Sequence, residues 1–88
     1  MRVEFLSKFN DDLDSISQLS VKIAIKKVIE SVEASESIRQ IQNVKKLVGY
    51  KNAYRVRVGN YRIGFYLENN LVQLARVKNR KDIYKLFP

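Results

Sequence analysis

The sequence predicts a small α+β domain in which a helical hairpin packs on one face of a mainly antiparallel, four-stranded sheet. Two patterns carry this prediction. Apolar residues recur at helical spacing between residues 9 and 32. Residues 54–77 instead contain short runs that alternate apolar and polar side chains between turn-forming dipeptides. The predicted order is β-α-α-β-β-β with a short C-terminal helical turn, and residues 1–88 form one domain.

A short strand and a helix open the chain. Val3–Phe5 is the first candidate strand. The first helix is predicted from four apolar residues at helical spacing: Phe9, Leu13, Ile16 and Leu19. Three aspartates are expected in its first turns, where acidic groups suit the helix dipole: Asp11, Asp12 and Asp14.

The second helix is predicted to start at a Ser20 cap. Its core-facing stripe contains six apolar residues: Val21, Ala24, Ile25, Val28, Ile29 and Val32. Residues 35–43 are expected to form a short helical turn, and residues 44–52 lead into the next strand. No catalytic group is predicted in this part of the chain.

A β-hairpin is predicted for Tyr54–Tyr66, which reads YRVRVGNYRIGFY. Polar and apolar side chains alternate on both sides of Gly59-Asn60, a dipeptide typical of two-residue hairpin loops. Such a loop places Arg57 directly opposite Arg62, and Arg55 opposite Gly64. Like charges at opposed cross-strand positions destabilise a sheet by roughly a few tenths to 1 kcal/mol. This arrangement therefore calls for a functional explanation.

The last predicted strand is Leu71–Val77, after a turn at Asn69-Asn70. Its register has two solutions, because a shift of one residue moves every side chain to the other face. A two-residue turn places Gln73 and Ala75 on the face of the arginines. A three-residue turn places there Val72, Leu74 and Arg76, and we favour this solution because it groups Arg76 with the other arginines. Residues 78–88 form a basic segment that closes in one helical turn.

The charge of the chain is concentrated in its second half. The formal net charge is +8, whereas residues 45–88 hold eleven Lys or Arg against two Asp or Glu, a net charge of +9, and all five tyrosines. A basic surface interleaved with aromatic side chains is typical of proteins that bind nucleic acids or acidic proteins. A basic face kept for solubility is the alternative, but it explains scattered lysines better than clustered arginines.

The missing residue types exclude several kinds of site. The chain has no cysteine and no histidine, which excludes disulfides, thiol catalysis, Cys/His zinc sites and serine–histidine triads. We expect neither a metal nor a cofactor. The N-terminus lacks the apolar run of a signal peptide, and no window approaches the ~18 apolar residues of a membrane span. We therefore expect a cytoplasmic protein without membrane contact.

In element order, nearly the whole chain resembles the RelE/ParE superfamily of bacterial type II toxins. The resemblance is most specific between Leu47 and Tyr84, in the alternating YRVRVGNYRI and the closing RVKNRKDIYK. It implies a helical hairpin on an antiparallel sheet whose open face is concave and basic. It also implies a cognate antitoxin that wraps the toxin and neutralises it.

The superfamily divides in function. RelE-like members cleave messenger RNA in the ribosomal decoding site, whereas ParE-like members inhibit DNA gyrase. The RelE-like pattern has five positions, all filled suitably here: Arg55, Arg57, Arg62, Arg80 and Tyr84. One departure is Asn79, which stands where many relatives have a histidine. The resemblance therefore leaves the acid/base group unassigned.

The chemistry of RNA cleavage gives these residues roles. Arg57 and Arg62 present two guanidinium forks to one phosphate, and an anion bound there relieves their repulsion. Gly64 is expected to leave room for a close approach to the strand. The expected phosphate-binding set is Arg55, Arg57, Arg62, Arg76 and Arg80.

Proton transfer needs other groups, because arginine keeps its proton at any useful pH. Lys78, Lys81 and Tyr84 remain, and stacking on a base or packing on the sheet edge are alternative roles for Tyr84. The expected catalytic set is therefore Arg57, Arg62, Arg80, Tyr84, Lys78 and Lys81.

The sequence thus predicts a toxin that acts as a metal-independent, ribosome-dependent mRNA endonuclease. Its expected partners are an antitoxin, the ribosome and messenger RNA. The alternatives are a ParE-like inhibitor of DNA gyrase, and a binding module that occupies the ribosome without cutting RNA.

Overall fold

Five strands form one sheet that is covered on one face by two helices. The computed structural model describes residues 1–88 and confirms the predicted α+β class. Its elements are β1 (Arg2–Phe5), α1 (Ser7–Asp14), α2 (Leu19–Ala34), a 3-10 turn (Ile38–Gln40), β2 (Val44–Lys46), β3 (Ala53–Val58), β4 (Tyr61–Glu68), β5 (Leu71–Asn79) and α3 (Arg80–Leu86).

The strand order in the sheet is β1-β5-β4-β3-β2. Only β1 and β5 run parallel, and the other three pairs are antiparallel. The predicted meander of β3, β4 and β5 is present, but the sheet has five strands rather than four. The additional strand is β2, whose three residues are too few to show a period-two pattern. It adds an edge beside β3, with Lys45 opposite Arg55.

The main core lies between the sheet and the helices α1 and α2. Its fully buried side chains include Phe9, Ile25, Val56, Ile63, Phe65, Val72, Leu74 and Val77. A smaller cluster on the opposite face of the sheet joins the C-terminal segment to the strands: Ala53, Ala75, Ile83 and Phe87. The arginine face, defined by Arg55, Arg57 and Arg62, is therefore partly covered by α3.

The starts of the two helices differ from the predictions. The first turn of α1 contains no acidic residue, because the helix begins at Ser7 and its aspartates lie in the second half. The expected interaction of Asp11, Asp12 and Asp14 with the helix dipole is therefore wrong. Gln18 is the N-cap residue of α2 and makes no side-chain capping hydrogen bond, so Ser20 lies within the first turn and does not cap it.

The β3–β4 hairpin has the predicted register. Arg57 pairs with Arg62, and Arg55 pairs with Gly64. Gly59 has a φ of 59° whereas Asn60 is not in the left-handed region, which fits a II′ loop with glycine at its first position. Val56 and Ile63 point into the core. Because side chains alternate along a strand, the neighbouring arginines lie on the opposite face of the sheet.

The register of β5 differs from the one that we favoured. Asn69 and Asn70 form a two-residue turn with φ values of 50° and 64°, so Val72 and Leu74 are buried in the core. The prediction of a longer turn is therefore wrong. A bulge then shifts the register between Gly64 and Phe65, and it places Arg76 opposite Gly64 after all.

The space beside Gly64 is filled by the protein itself. A Cβ atom at this position would overlap the ring of Phe87, which is 5% exposed. The chain after α3 thus folds back onto β4, and glycine is required for this close packing. Gly64 thus allows the expected close approach to the strand, but Phe87 fills the space, and the expectation of an open notch for an anion is wrong.

Asp12 accepts a backbone hydrogen bond from β5 at the part of its edge that has no neighbouring strand. β1 pairs only with Leu71–Leu74, so the edge of β5 is open beyond Leu74. The carboxylate of Asp12, on α1, accepts the backbone N–H of Val77 at 3.1 Å. It also accepts two hydrogen bonds from Arg76, at 2.7 and 3.0 Å, and lies 3.3 Å from Nζ of Lys78. Helix α1 therefore covers this edge through one buried carboxylate.

Protonation of Asp12 opposes folding. Burial alone raises its pKa, but the hydrogen bonds from Arg76, Val77 and Lys78 together lower the pKa below its ordinary value. The unfolded chain has a carboxyl pKa of about 4. The stabilisation is therefore complete above that pH, and it is lost as the pH falls through the lower pKa of the folded state.

The Asp12→Asn substitution should reduce the free energy of unfolding by about 2–4 kcal/mol at pH 7, because it breaks a buried ion pair. The free energy of unfolding of the variant should also fall less between pH 7 and pH 2 than that of the wild type. Urea unfolding between pH 2 and 7 measures both effects. The exposed Asp14→Asn substitution on the same helix is the control, with an expected change below about 0.5 kcal/mol. A variant as stable as the wild type at pH 7 would contradict this role.

Candidate functional site

A basic cleft opens on the arginine face between β2, β3, β4 and α3. Its volume is about 360 Å³. Six side chains line it: Asn43, Lys45, Arg55, Arg57, Arg62 and Tyr84. Four of them are cations and none is a carboxylate. The cleft is therefore suited to an anion with several acceptor oxygens.

Neutral oxygen atoms orient the two opposed arginines. Nη2 of Arg57 donates to Oδ1 of Asn43 at 3.3 Å. Nη1 of Arg62 donates to the carbonyl oxygens of Gly59 and Tyr61, at 3.0 and 2.9 Å. Because no carboxylate binds either guanidinium, both keep their full charge available for a ligand.

The cations of the cleft repel one another. The pKa of Arg62 is lowered first by burial and then by the charges of Arg57, Arg80 and Arg55. Arg80 therefore acts on Arg62 electrostatically, although it does not line the same cleft. A bound anion would reduce this repulsion, whereas in the free protein nothing of opposite charge reduces it.

Tyr84 is held over the cleft by a cation–π contact. The guanidinium carbon of Arg55 lies 4.5 Å from the centre of the Tyr84 ring, within the range of such contacts. The side chain of Tyr84 is nevertheless 67% exposed. Arg55 thus covers one face of the ring, so a base could stack only on the other face.

The remaining predicted residues lie outside this cleft. Arg76 and Lys78 are both bound by Asp12. A neighbouring cleft of about 380 Å³ contains the other two, Arg80 and Lys81, together with Asn60, Asn79 and Asp82. The structure therefore brings together Arg55, Arg57, Arg62 and Tyr84, with Arg80 nearby.

Asn79, at the position where many members of the resembled family have a histidine, caps α3. Its Oδ1 accepts the backbone N–H groups of Lys81 and Asp82, both at 3.0 Å, and its Nδ2 donates to Asp82. Asparagine is among the best N-cap residues. This residue therefore has a structural function at the start of the helix that carries Tyr84.

Sequence reasoning missed two residues of the cleft, Asn43 and Lys45. Lys45 belongs to the unrecognised strand β2, where it lies opposite Arg55. Three residues give no usable alternation in the sequence, and it is the pairing of β2 with β3 that directs Lys45 to the cleft. Asn43 precedes β2 with a φ of 62°, a conformation that asparagine tolerates better than most residues.

The structure offers no metal-binding cluster and no membrane-spanning helix. No group of three or more His, Cys, Asp and Glu side chains could hold a metal ion. No helix is both long and apolar enough to cross a membrane.

Residues 3–84 match a family model described as the ParE toxin of the type II toxin-antitoxin system parDE. Among individual proteins, the chain is 39% identical over 89 residues to Toxin RelE3 of Methanocaldococcus jannaschii, and the alignment covers 100% of both chains. The family model is thus named after ParE and the individual relative after RelE, which are the two functional branches of this group of toxins.

Solved structures share this fold. A chain of the RelB–RelE antitoxin–toxin complex from Methanococcus jannaschii superposes with a TM-score of 0.82 and 38% identity, over 97% of this chain and 99% of that one. A chain of the intact RelBE complex from E. coli gives a TM-score of 0.66 at 22% identity, over 89% and 94% of the two chains. The second likeness concerns the fold alone.

The repulsion in the cleft gives a prediction about stability. Arg57→Gln should leave the free energy of unfolding unchanged or raise it by a few tenths to about 1 kcal/mol at low salt, because it removes a like charge opposite Arg62. Added salt should reduce the difference. Arg39→Gln, at an exposed arginine outside the cleft, is the charge-matched control. A loss of more than about 1 kcal/mol in the Arg57 variant alone would contradict this electrostatic account.

Proposed function

The chain belongs to the RelE/ParE superfamily of type II toxins and is a toxin of the RelE family, and we propose that it cleaves messenger RNA on the ribosome without a metal ion. The observation that carries this proposal is the cleft of three arginines and one tyrosine, in which no carboxylate neutralises the guanidiniums. The 39% identity to Toxin RelE3 over the full length supports the RelE branch.

The phosphate is proposed to bind between β3 and β4. Arg57 and Arg62 lie opposite each other on these strands. Each guanidinium can donate two parallel hydrogen bonds to phosphate oxygens, a geometry that lysine cannot copy. Arg55 extends the cation row along β3 by two residues, so the next phosphate of the RNA strand can be bound there.

The same arginines would stabilise the transition state. Attack of the ribose 2′-hydroxyl places additional negative charge on the phosphate oxygens. Removing one preorganised oxyanion donor typically costs roughly 3–4 kcal/mol of activation free energy. The repulsion between two opposed charges costs at most about 1 kcal/mol of stability. The catalytic gain therefore exceeds the structural cost.

Arg80 and Tyr84 are proposed to act from α3. Arg80 contributes positive charge near Arg62, and the hydroxyl of Tyr84 can give a proton to the leaving oxygen. Arg76 and Lys78 have no proposed catalytic role, because Asp12 already binds both side chains. Lys81, which the sequence predicts as a candidate for proton transfer, lines the neighbouring cleft, and we propose for it only the role of an auxiliary cation.

The shape of the cleft supports the proposed dependence on the ribosome. It is open and has no apolar wall that could hold a base, since Tyr84 is the one aromatic residue in its lining. Accurate alignment of the 2′-oxygen with the phosphate can contribute many kcal/mol to catalysis. We propose that the ribosome provides this alignment by presenting the RNA in a fixed conformation.

The direct test is cleavage of messenger RNA on programmed ribosomes. Arg62→Ala should reduce the cleavage rate by about a hundred- to a thousand-fold, since it removes one donor to the transition state. Arg39→Ala, which removes an exposed arginine elsewhere, should cut at the wild-type rate. Equal cleavage by the wild type and the Arg62 variant would contradict the proposed role of this residue.

Inhibition of DNA gyrase is the second candidate function, because the matching family model is named after the ParE toxin. The order of events in cells separates the two. If the toxin cleaves messenger RNA, protein synthesis should fall before DNA synthesis after induction. Early arrest of DNA synthesis and inhibition of purified gyrase would favour the ParE-like function. Ribosome binding without cleavage would favour a binding module.

A cognate antitoxin is proposed as the protein partner. Chains similar to this one were crystallised in complexes of toxin and antitoxin. Besides its basic cleft, the molecule exposes large apolar side chains at Phe5, Leu19 and Ile23. Acidic residues of the antitoxin would orient on the arginine face, and apolar contacts would supply most of the affinity.

A complex of this kind should remain associated at a raised salt concentration. Interactions between separated surface charges are screened over ~8–10 Å at physiological ionic strength, whereas apolar contacts are not. We therefore expect the toxin–antitoxin complex to remain intact during gel filtration in about 0.5 M NaCl, where the Debye length is well below 10 Å. Dissociation under these conditions would contradict the proposed apolar contribution.

A further inference from the structure

RNA cleavage needs a group that removes the proton of the 2′-hydroxyl, and the arginines of the cleft cannot do so. Two side chains in its lining can exchange a proton, Lys45 and Tyr84. We propose that Lys45 is the proton acceptor, an inference that rests on the proposed nuclease function. It assigns a catalytic role to a residue of the edge strand β2.

The sheet places Lys45 beside the arginines. It lies opposite Arg55, in the middle of β2. Its neighbour Val44 packs against the main core, so alternation along the strand directs Lys45 to the arginine face. The side chain is exposed, and its four-carbon stem lets the amine reach into the open cleft.

The other amines near the site are less suited to this role. The two ion pairs of the molecule both involve Asp12, and one of them binds Lys78. Lys81 lies in the neighbouring cleft with Arg80 and Asp82. Lys45 is thus the amine that shares the cleft with the proposed phosphate-binding arginines, and no carboxylate lies in the lining beside it.

The proposed step is a transesterification. The neutral amine of Lys45 takes the proton of the 2′-hydroxyl while the 2′-oxygen forms a bond to phosphorus. The bond between phosphorus and the 5′-oxygen breaks, and this oxygen takes a proton from Tyr84. The products are a 2′,3′-cyclic phosphate and a 5′-hydroxyl. A proton then returns through solvent from the Lys45 ammonium to the Tyr84 phenolate.

Replacement by arginine separates charge from proton transfer. Lys45→Arg keeps the positive charge but removes a group that can accept a proton. Cleavage on ribosomes should fall by about a hundred-fold or more, the scale of general acid–base catalysis, whereas ribosome binding should stay within about two-fold, because the charge that attracts phosphate is kept. Lys46→Arg, on the next residue of the same strand and facing the other way, should cut at the wild-type rate.

Chemical rescue tests the amine itself. The chain has no cysteine, so Lys45→Cys introduces a single thiol that can be aminoethylated selectively. The Cys variant should lose cleavage, and aminoethylation should restore the rate to within about ten-fold of the wild type, since it rebuilds a side chain that can accept the proton. If Lys45 only supported the fold, the Lys45→Arg variant and the aminoethylated Cys variant would cleave RNA at similar rates.

The outcomes separate this inference from the proposed function. Cleavage by Lys45→Arg at the wild-type rate would overturn the role of Lys45 and leave the nuclease in place. So would failure of aminoethylation to restore cleavage in a variant that still binds ribosomes. Wild-type protein that binds ribosomes and cuts no RNA would overturn the nuclease function, and the role of Lys45 with it.

Discussion

The opposition of Arg57 and Arg62 across two neighbouring strands is the constraint around which the site is organised. Nothing in the fold neutralises these charges, because neutral oxygen atoms orient both guanidiniums. The register that opposes them is fixed from the other face of the sheet, where Val56 and Ile63 are buried. Apolar burial thus stabilises an arrangement that electrostatics alone would disfavour.

The rest of the sheet limits where positive charge is available. On β5, Lys78 lies opposite Arg62 and Arg76 lies opposite Gly64, so both could have extended the basic surface. Asp12 binds both, and in doing so completes the open edge of the strand. The ring of Phe87 covers Gly64 between the two rows of cations. The cations that line the cleft are therefore those of β2, β3 and β4, and Arg80 at the start of α3 adds its charge nearby.

The hairpin could be predicted from the sequence because its determinants are local. Alternation on both sides of Gly59-Asn60 fixes which residues pair, and the structure has this register. The register of β5 could not be predicted, because it depends on a bulge beside Gly64 for which the sequence has no turn dipeptide or other local signal. Strand β2 was missed because it is three residues long and is stabilised by pairing with β3 rather than by its own pattern.

Contacts between residues distant in sequence account for the other differences. Asp12 and Val77 are brought together by the packing of α1 against β5, and Phe87 reaches Gly64 only after α3 has formed. Neither contact leaves a periodic signal in the sequence. The sequence therefore predicted that the arginines of β3 and β4 lie together, but it could not predict that Asp12 binds Arg76 and Lys78, or that Lys45 lines the cleft.

The central claim is that the arginine cleft acts on a phosphate whose own ribose provides the nucleophile. It is tested most directly with messenger RNA that carries a single 2′-deoxy nucleotide at the cleavage position, presented on programmed ribosomes. The account predicts that the all-ribose message yields a 2′,3′-cyclic phosphate end. It also predicts that the 2′-deoxy message remains intact at that position, although the toxin binds both complexes equally. Cleavage of the 2′-deoxy message at the same position and rate would contradict it.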